Sequence, residues 1–407
     1  MNAIFAAHPL LLVSLVKIVV LLFLLMTALA YLTWFERKVV AHIQARWGPY
    51  RVGPHGLLQP LADGVKFLFK EDVTPAGADK FIFLLAPFLT LSLAVSAIAL
   101  IPFGPMDITI FGQQTPLQVA NVSIGLLFLF ALSSIGVYGV ALAGWASNSK
   151  YSLLGGLRST AQMISYELTL TLSVVGVLLM AGTLNFREII LAQSGFAWGF
   201  LPKWNLIASP LPQVLGFVCF FTAAIAETNR LPFDLPEAEG ELGAGFHTEY
   251  SSFKFAMFFI GEYASMVTVS CLAAILFFGG WLSPFPVAHN WSWTLYIPAA
   301  GFIIAGIGIL GYGVRYSTIF GKLLLPVVGL AVAGLGILFA QPMAIEFVQG
   351  PFWFLLKVVL FLFVYVWVRG TLPRFRYDQL MALGWKVMFP LALANVVLTS
   401  LAVAARP

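Results

Sequence analysis

Residues 227–262 read ETNRLPFDLPEAEGELGAGFHTEYSSFKFAMFFIGE and hold seven of the seventeen carboxylates in the chain. Leu231, Phe233, Leu235, Leu242, Phe246, Tyr250 and Phe253 are interleaved with the acids. A solvated acidic tail lacks such bulky apolar residues, so this is a folded loop lining something amphipathic. On both sides it is closed by apolar runs of about 20 residues, the length of helix that crosses a hydrocarbon core roughly 30 Å thick. Its acids therefore lie at or inside a membrane boundary, where ionisable groups are costly and are functional candidates by default.

The same alternation extends outward over all 407 residues, of which 60% are hydrophobic and 10% charged. Apolar windows near 10–33, 80–102, 118–145, 160–183, 211–229, 252–280, 296–314, 323–341, 352–369 and 385–404 predict ten crossings. No soluble domain fits between them, so the chain reads as one all-α, polytopic integral membrane domain, 1–407. Lys17, an apolar run and Ala28-Leu29-Ala30 imitate a signal peptide, but the run continues to Trp34 and meets a basic loop, as a retained first span does.

The net charge of +5 is best read by position. With the N-terminus outside, the connections 34–79, 146–159, 230–251, 315–322 and 370–384 share the cytoplasmic face. With the adjoining helix ends they hold every Lys and Arg except Lys17, Arg187, Lys203, Lys357 and Arg406. This positive-inside asymmetry puts both termini outside. Lys17 and Lys357, near the outer ends of their helices, are expected to snorkel outward. The three long polar connections make the cytoplasmic face the surface on which a partner docks.

In the first of these connections, residues 57–70 (LLQPLADGVKFLFK) place Leu57, Leu58, Leu61, Val65, Leu68 and Phe69 on one helical stripe and Gln59, Asp63, Lys66 and Lys70 on another. This predicts a short amphipathic helix lying in the membrane surface. The Gly- and Pro-rich connector before it, ARWGPYRVGPHG, carries Arg46 and Arg51. Cys219 and Cys271 lie in apolar segments, and the histidines at 8, 42, 55, 247 and 289 have no ligand spacing. No zinc, haem or iron–sulfur set can be assembled, so any electrons the chain handles arrive from another subunit.

Four runs are long enough to be specific: ERKVVAHIQARWGPYRVGPHGLLQPLADGVKFLFKED, AGWASNSKYSLLGGLRSTAQMISYELTL, ETNRLPFDLPEAEGELGAGFHTEY and RGTLPRFRYDQLMALGWK. They closely resemble the H subunit of bacterial NADH-quinone oxidoreductase (respiratory complex I), the counterpart of the first mitochondrially encoded NADH dehydrogenase subunit, over about residues 10–283 and 352–404. The resemblance implies an eight-helix core at the heel of that complex in the bacterial inner membrane. It also implies a quinone chamber beneath the peripheral arm, with quinone as substrate and FMN and iron–sulfur clusters on partner subunits. The partners implied are the peripheral-arm subunits on the cytoplasmic face, the small membrane-arm subunits alongside, and lipid. Matched motif to motif, the chamber residues fall on Glu36, Arg37, Arg46, Asp63, Arg230, Asp234, Glu237, Glu239 and Glu241.

Glu167 and Glu262 lie deeper, Glu262 roughly 20 Å along its helix from Glu249 at 1.5 Å per residue. With Glu227, Glu249 and the neighbouring Tyr166 and Tyr263 they read as a proton relay. Two features depart from the resemblance. Residues 284–351 hold an extra pair of apolar segments, and Tyr50 stands where the family commonly has Asn. The pair is rich in small residues, which predicts a closely packed peripheral hairpin that can be excised without loss of quinone reduction. Two other classes compete: the related membrane subunit of energy-converting hydrogenases, which has no quinone, and a cation/proton secondary transporter. The transporter predicts internal repeats with broken helices, which the chain does not display.

Overall fold

The computed structural model describes residues 9–110, 112–197, 201–207, 211–234, 243, 245–285, 292–316 and 319–405. The apolar windows become helices. α1 is Pro9–Ile43, α2 Gln59–Phe69, α3 Lys80–Ile98, α4 Gly125–Ala146 and α5 Lys150–Ala181. They are followed by α6 Phe186–Ala192, α7 Val214–Glu227, α8 Ser252–Phe277, α9 Ile297–Val314, α10 Ile319–Phe339 and α11 Pro342–Thr371. The chain closes with α12 Tyr377–Leu383, a π-helical segment Gly384–Met388 and α13 Phe389–Ala404. Two short antiparallel hairpins, Asp107–Ile110 with Gln113–Pro116 and Phe196–Ala197 with Leu201–Pro202, are the strands among the described residues.

Among those residues nine helices are long and apolar enough to cross a membrane, α12 to α13 counting as one. α7 is apolar but has only 14 residues, although the sequence window there is longer. At 1.5 Å per residue it is about 21 Å long, short of a hydrocarbon core of roughly 30 Å. It is tolerated because most of it is enclosed by protein, with Gly216, Cys219, Phe220 and Ala223 buried. Just before it, the Gln213 side chain donates to Thr399 and accepts from Asn395 of α13, both at 2.9 Å, and its backbone N–H donates to the Asn205 carbonyl at 2.9 Å.

α8 is buried along most of its length and is the axis of the bundle, whereas α1 exposes Val19, Phe23 and Leu24. Small residues set the closest approaches. A Cβ on Gly144 would lie 2.6 Å from the Ser152 carbonyl oxygen, which fixes α4 on α5. A Cβ on Gly155 would lie 2.7 Å from the Gly245 backbone, which presses the acidic connection onto α5. α9 and α10 pack on each other in the same way at Gly306, Gly329 and Gly336.

The connections gather at two ends. At one, Asp79 N–H donates to Ala146, the Ser252 hydroxyl to the Phe67 carbonyl, His55 N–H to Tyr316 and Phe375 N–H to Pro232. All five Lys- and Arg-rich connections thus share this basic face. At the other end Leu126 N–H donates to Leu184, Leu206 N–H to Phe277, and Arg187 pairs with Asp107. Lys17 reaches that end, donating to the Pro116 and Gln118 carbonyls at 2.7 and 3.0 Å. Lys357 behaves differently from the snorkelling expected of it. It is 7% exposed and donates to the carbonyls of Phe278, Gly280 and Leu282 at 2.7, 2.8 and 2.7 Å, because the turn after α8 aims those oxygens at it.

Candidate functional site

The acidic connection begins where α7 ends. Gln162 of α5 donates from its amide to the carbonyls of Ala226 and Phe233, both at 2.9 Å, and to Asn229 Oδ1 at 3.2 Å. Asn229, at φ 48°, donates to Ser159 Oγ at 2.9 Å. Asn tolerates this left-handed conformation better than most residues. The turn it makes sends Arg230 inward.

Arg230 Nη1 lies 3.3 Å from Glu36 Oε1, with the two residues 7% and 4% exposed. Arg369 of α11 is ion-paired with the same carboxylate. Tyr263 of α8 donates its hydroxyl to Glu36 Oε2 at 2.7 Å, and the Arg230 guanidinium stands 4.2 Å from the Tyr263 ring centroid. A carboxylate this deep is costly unless fully paired. Here two arginines and a phenol pair it, and the cluster keeps a net positive charge. Two further pairs flank it: Arg374 with Asp234 at 3.3 Å, and Arg37 with Asp63 at 2.7 Å, Gln59 also donating to Asp63 at 3.0 Å. On α2 the apolar residues Leu61, Leu68 and Phe69 are exposed, so the helix presents its apolar stripe outward and its Asp63 inward to α1. Arg46 joins none of these groups; it bonds Gln44 at 2.8 Å on the surface. Glu237, Glu239 and Glu241 lie outside the described residues.

Between α3, α4, α5, α7 and α8 lies a cavity of about 80 Å³ lined by Glu227, Glu262, Ser133, Ser265 and Thr268. The rest of its wall is mostly apolar, so these polar groups are the points at which water can be held. Ser133 donates to Glu227 and the adjacent Ser134 to Glu167, so one turn of α4 touches two acids. Glu249 is not among the lining residues. The tyrosines part from their neighbouring acids, because consecutive helical residues point about 100° apart. Tyr263 turns to Glu36, and Tyr166, fully buried, donates to the Leu380 carbonyl at 2.8 Å. Behind the cavity wall formed by Phe246, His247 is buried against the rings of Phe246, Phe255 and Phe259, and burial holds its pKa down at about 4.

Arg369, Arg374, Ser133 and Ser134 join the site from outside the set that the sequence singles out, the two arginines reading there only as markers of topology. The serines left a signal: they interrupt the apolar run GLLFLFALSSIGVYGV in mid-span.

A family model described as NADH dehydrogenase matches residues 16–400. The chain is 52% identical over 392 residues to the first of the NADH-quinone oxidoreductase H subunits of Solibacter usitatus, covering 96% of this chain and 97% of the relative. It is 48% identical to the second H subunit of Koribacter versatilis, covering 97% and 98%, and 46% identical to the H subunit of Thermomicrobium roseum, covering 94% and 93%. The chain therefore belongs to the NADH dehydrogenase family, among the H subunits of NADH-quinone oxidoreductase.

Proposed function

We propose that this chain is the membrane subunit of a proton-pumping NADH-quinone oxidoreductase that forms part of the quinone chamber and begins the acidic path for protons. The observation that carries the reading is the buried Glu36, held by Arg230, Arg369 and Tyr263 from three other parts of the chain. A quinone has a polar head and a long isoprenoid tail, so its site opens to lipid on one side and offers donors on the other. The exposed apolar stripe of α2, beside the Arg37–Asp63 pair, and the positive Glu36 cluster have those two characters.

In this reading Glu36, Arg37, Arg46, Asp63, Arg230, Asp234, Glu237, Glu239 and Glu241 contribute to the chamber, and Arg369 and Arg374 join them. Glu227, Glu262, Glu167 and Glu249 carry protons, with the cavity water and the Ser133 and Ser134 hydroxyls between acids. Tyr263 links the two sets, since it neighbours Glu262 in sequence and donates to Glu36. Tyr166 acts from the α12 side of the path. Electrons come from FMN and iron–sulfur clusters on peripheral-arm subunits docked on the basic face, which is the cytoplasmic face of the bacterial inner membrane, and both termini lie outside.

The test compares two variants in vesicles holding the fully assembled complex. Glu262→Gln keeps the shape but cannot exchange a proton, and it relieves a desolvation penalty of up to about 3 kcal/mol, so it assembles and pumps fewer protons per electron. Arg230→Ala raises the apparent KM for quinone several-fold while the membrane helices stay in place. Normal pumping and turnover in Glu262→Gln would reduce that residue to a helix contact, and an unchanged KM in Arg230→Ala would remove the chamber assignment.

A further inference from the structure

His55 lies in the connector 47–56 at φ 51°, in the left-handed region that few non-glycine residues adopt. Three of its polar groups are engaged outside the connector. Its N–H donates to the Tyr316 hydroxyl at 3.2 Å, its carbonyl accepts from Trp34 Nε1 of α1 at 3.1 Å, and its ring Nε2 is hydrogen-bonded to the Tyr312 hydroxyl. Tyr312 in the last turn of α9 and Tyr316 just past its end are four residues apart and share one face. The rings of Tyr50, Tyr312 and Tyr316 stand 5.3, 5.1 and 5.3 Å from the imidazole, and the Lys38 ammonium lies 5.6 Å from the Tyr50 ring. Burial and the charge of Lys38 both lower the His55 pKa, favouring the neutral ring.

The α9–α10 hairpin and Tyr50 are more than 240 residues apart in sequence, yet they meet at this one histidine. A residue in a strained conformation, bonded on one side to α1 and on the other to the insert, is a fixed point in an otherwise Gly- and Pro-rich connector. That connector joins the end of α1, which bears Glu36 and Arg37, to α2, which bears Asp63.

We propose that the inserted hairpin clamps the first basic-face connector: Tyr312 and Tyr316 are positioning residues that fix His55, and with it the setting of α2 against α1, so that they govern the apparent KM for quinone and not kcat. The kinetic half rests on the chamber reading above. The hairpin is then part of the substrate-handling end of the molecule, contrary to the excisable appendage that its composition predicts.

The experiment measures hydrogen–deuterium exchange of the 47–58 segment by mass spectrometry in the intact complex, together with quinone kinetics. In a Tyr312→Phe, Tyr316→Phe double variant the His55 amide loses its acceptor, and exchange in the segment speeds up about tenfold or more. The apparent KM rises about three- to tenfold with kcat within a factor of two, and restoring either hydroxyl alone recovers part of both. Excising residues 284–351 from a complex that still assembles reproduces the KM rise. Unchanged exchange in the double variant overturns the clamp. Faster exchange with an unchanged KM overturns its role in substrate handling, provided Arg230→Ala raises KM in the same assay. If neither variant moves KM, the chamber reading itself is what falls.

Discussion

His247 sits among three phenylalanine rings, and neither of its ring nitrogens has a hydrogen-bond partner among the described residues. Its pKa of about 4 compares with 6.5 for a free imidazole. Between these values the unfolded chain binds a proton that the folded chain refuses, so stability is full above pH 6.5 and declines as pH falls towards 4. The loss from pH 7 to pH 5 is on the order of 2 kcal/mol, since one pKa unit corresponds to about 1.4 kcal/mol. The midpoint of heat unfolding of the detergent-solubilised complex should fall over that interval, and His247→Leu should flatten the dependence. An equally steep fall in the variant would assign the effect to other groups. Single acids were legible in the sequence because carboxylates are rare in this chain; their partners were not. Glu36 and Arg230 are separated by 194 positions, and no local pattern announces that pairing.

Among the helices, positions followed from hydropathy, but boundaries and special ends did not. α2 matches the stripe read from residues 57–70, because a 3.6-residue period survives in any local window. The apolar window at α7 is longer than the helix because chain buried at membrane depth is as apolar as helix. The π segment before α13 has no compositional mark that sets it off from the helix on either side. The Lys357 cage is similar: a lysine near a helix end reads as a snorkelling group, and only the turn at Gly279 and Gly280, both at positive φ, brings three carbonyls to it. Lys357→Met removes a donor from three buried acceptors, at about 1–3 kcal/mol for each group left unsatisfied. The complex should melt several degrees lower, with the C-terminal end of α8 loosened first in hydrogen exchange. An unaltered melting point would mean that water replaces the ammonium at no cost.

For the molecule as a whole, the five basic connections interlock at one end, which in the orientation proposed above faces the cytoplasm. Replacing Cys219 and Cys271, the two cysteines of the chain, by Ala gives a cysteine-free background. There, Lys203→Cys should react with a membrane-impermeant maleimide in intact cells, and Lys70→Cys only after the inner membrane is opened. The reverse pattern would invert the topology. The interlocking also has a consequence in time. Glu36 is made early, and its partner Arg230 follows 194 residues later, with Arg369 later still. At about 5–20 residues per second, the ribosome takes on the order of 10–40 s to cover the first of those intervals. Throughout it the Glu36 carboxylate waits at the membrane boundary without either arginine, so its cluster is completed only once α11 has been made.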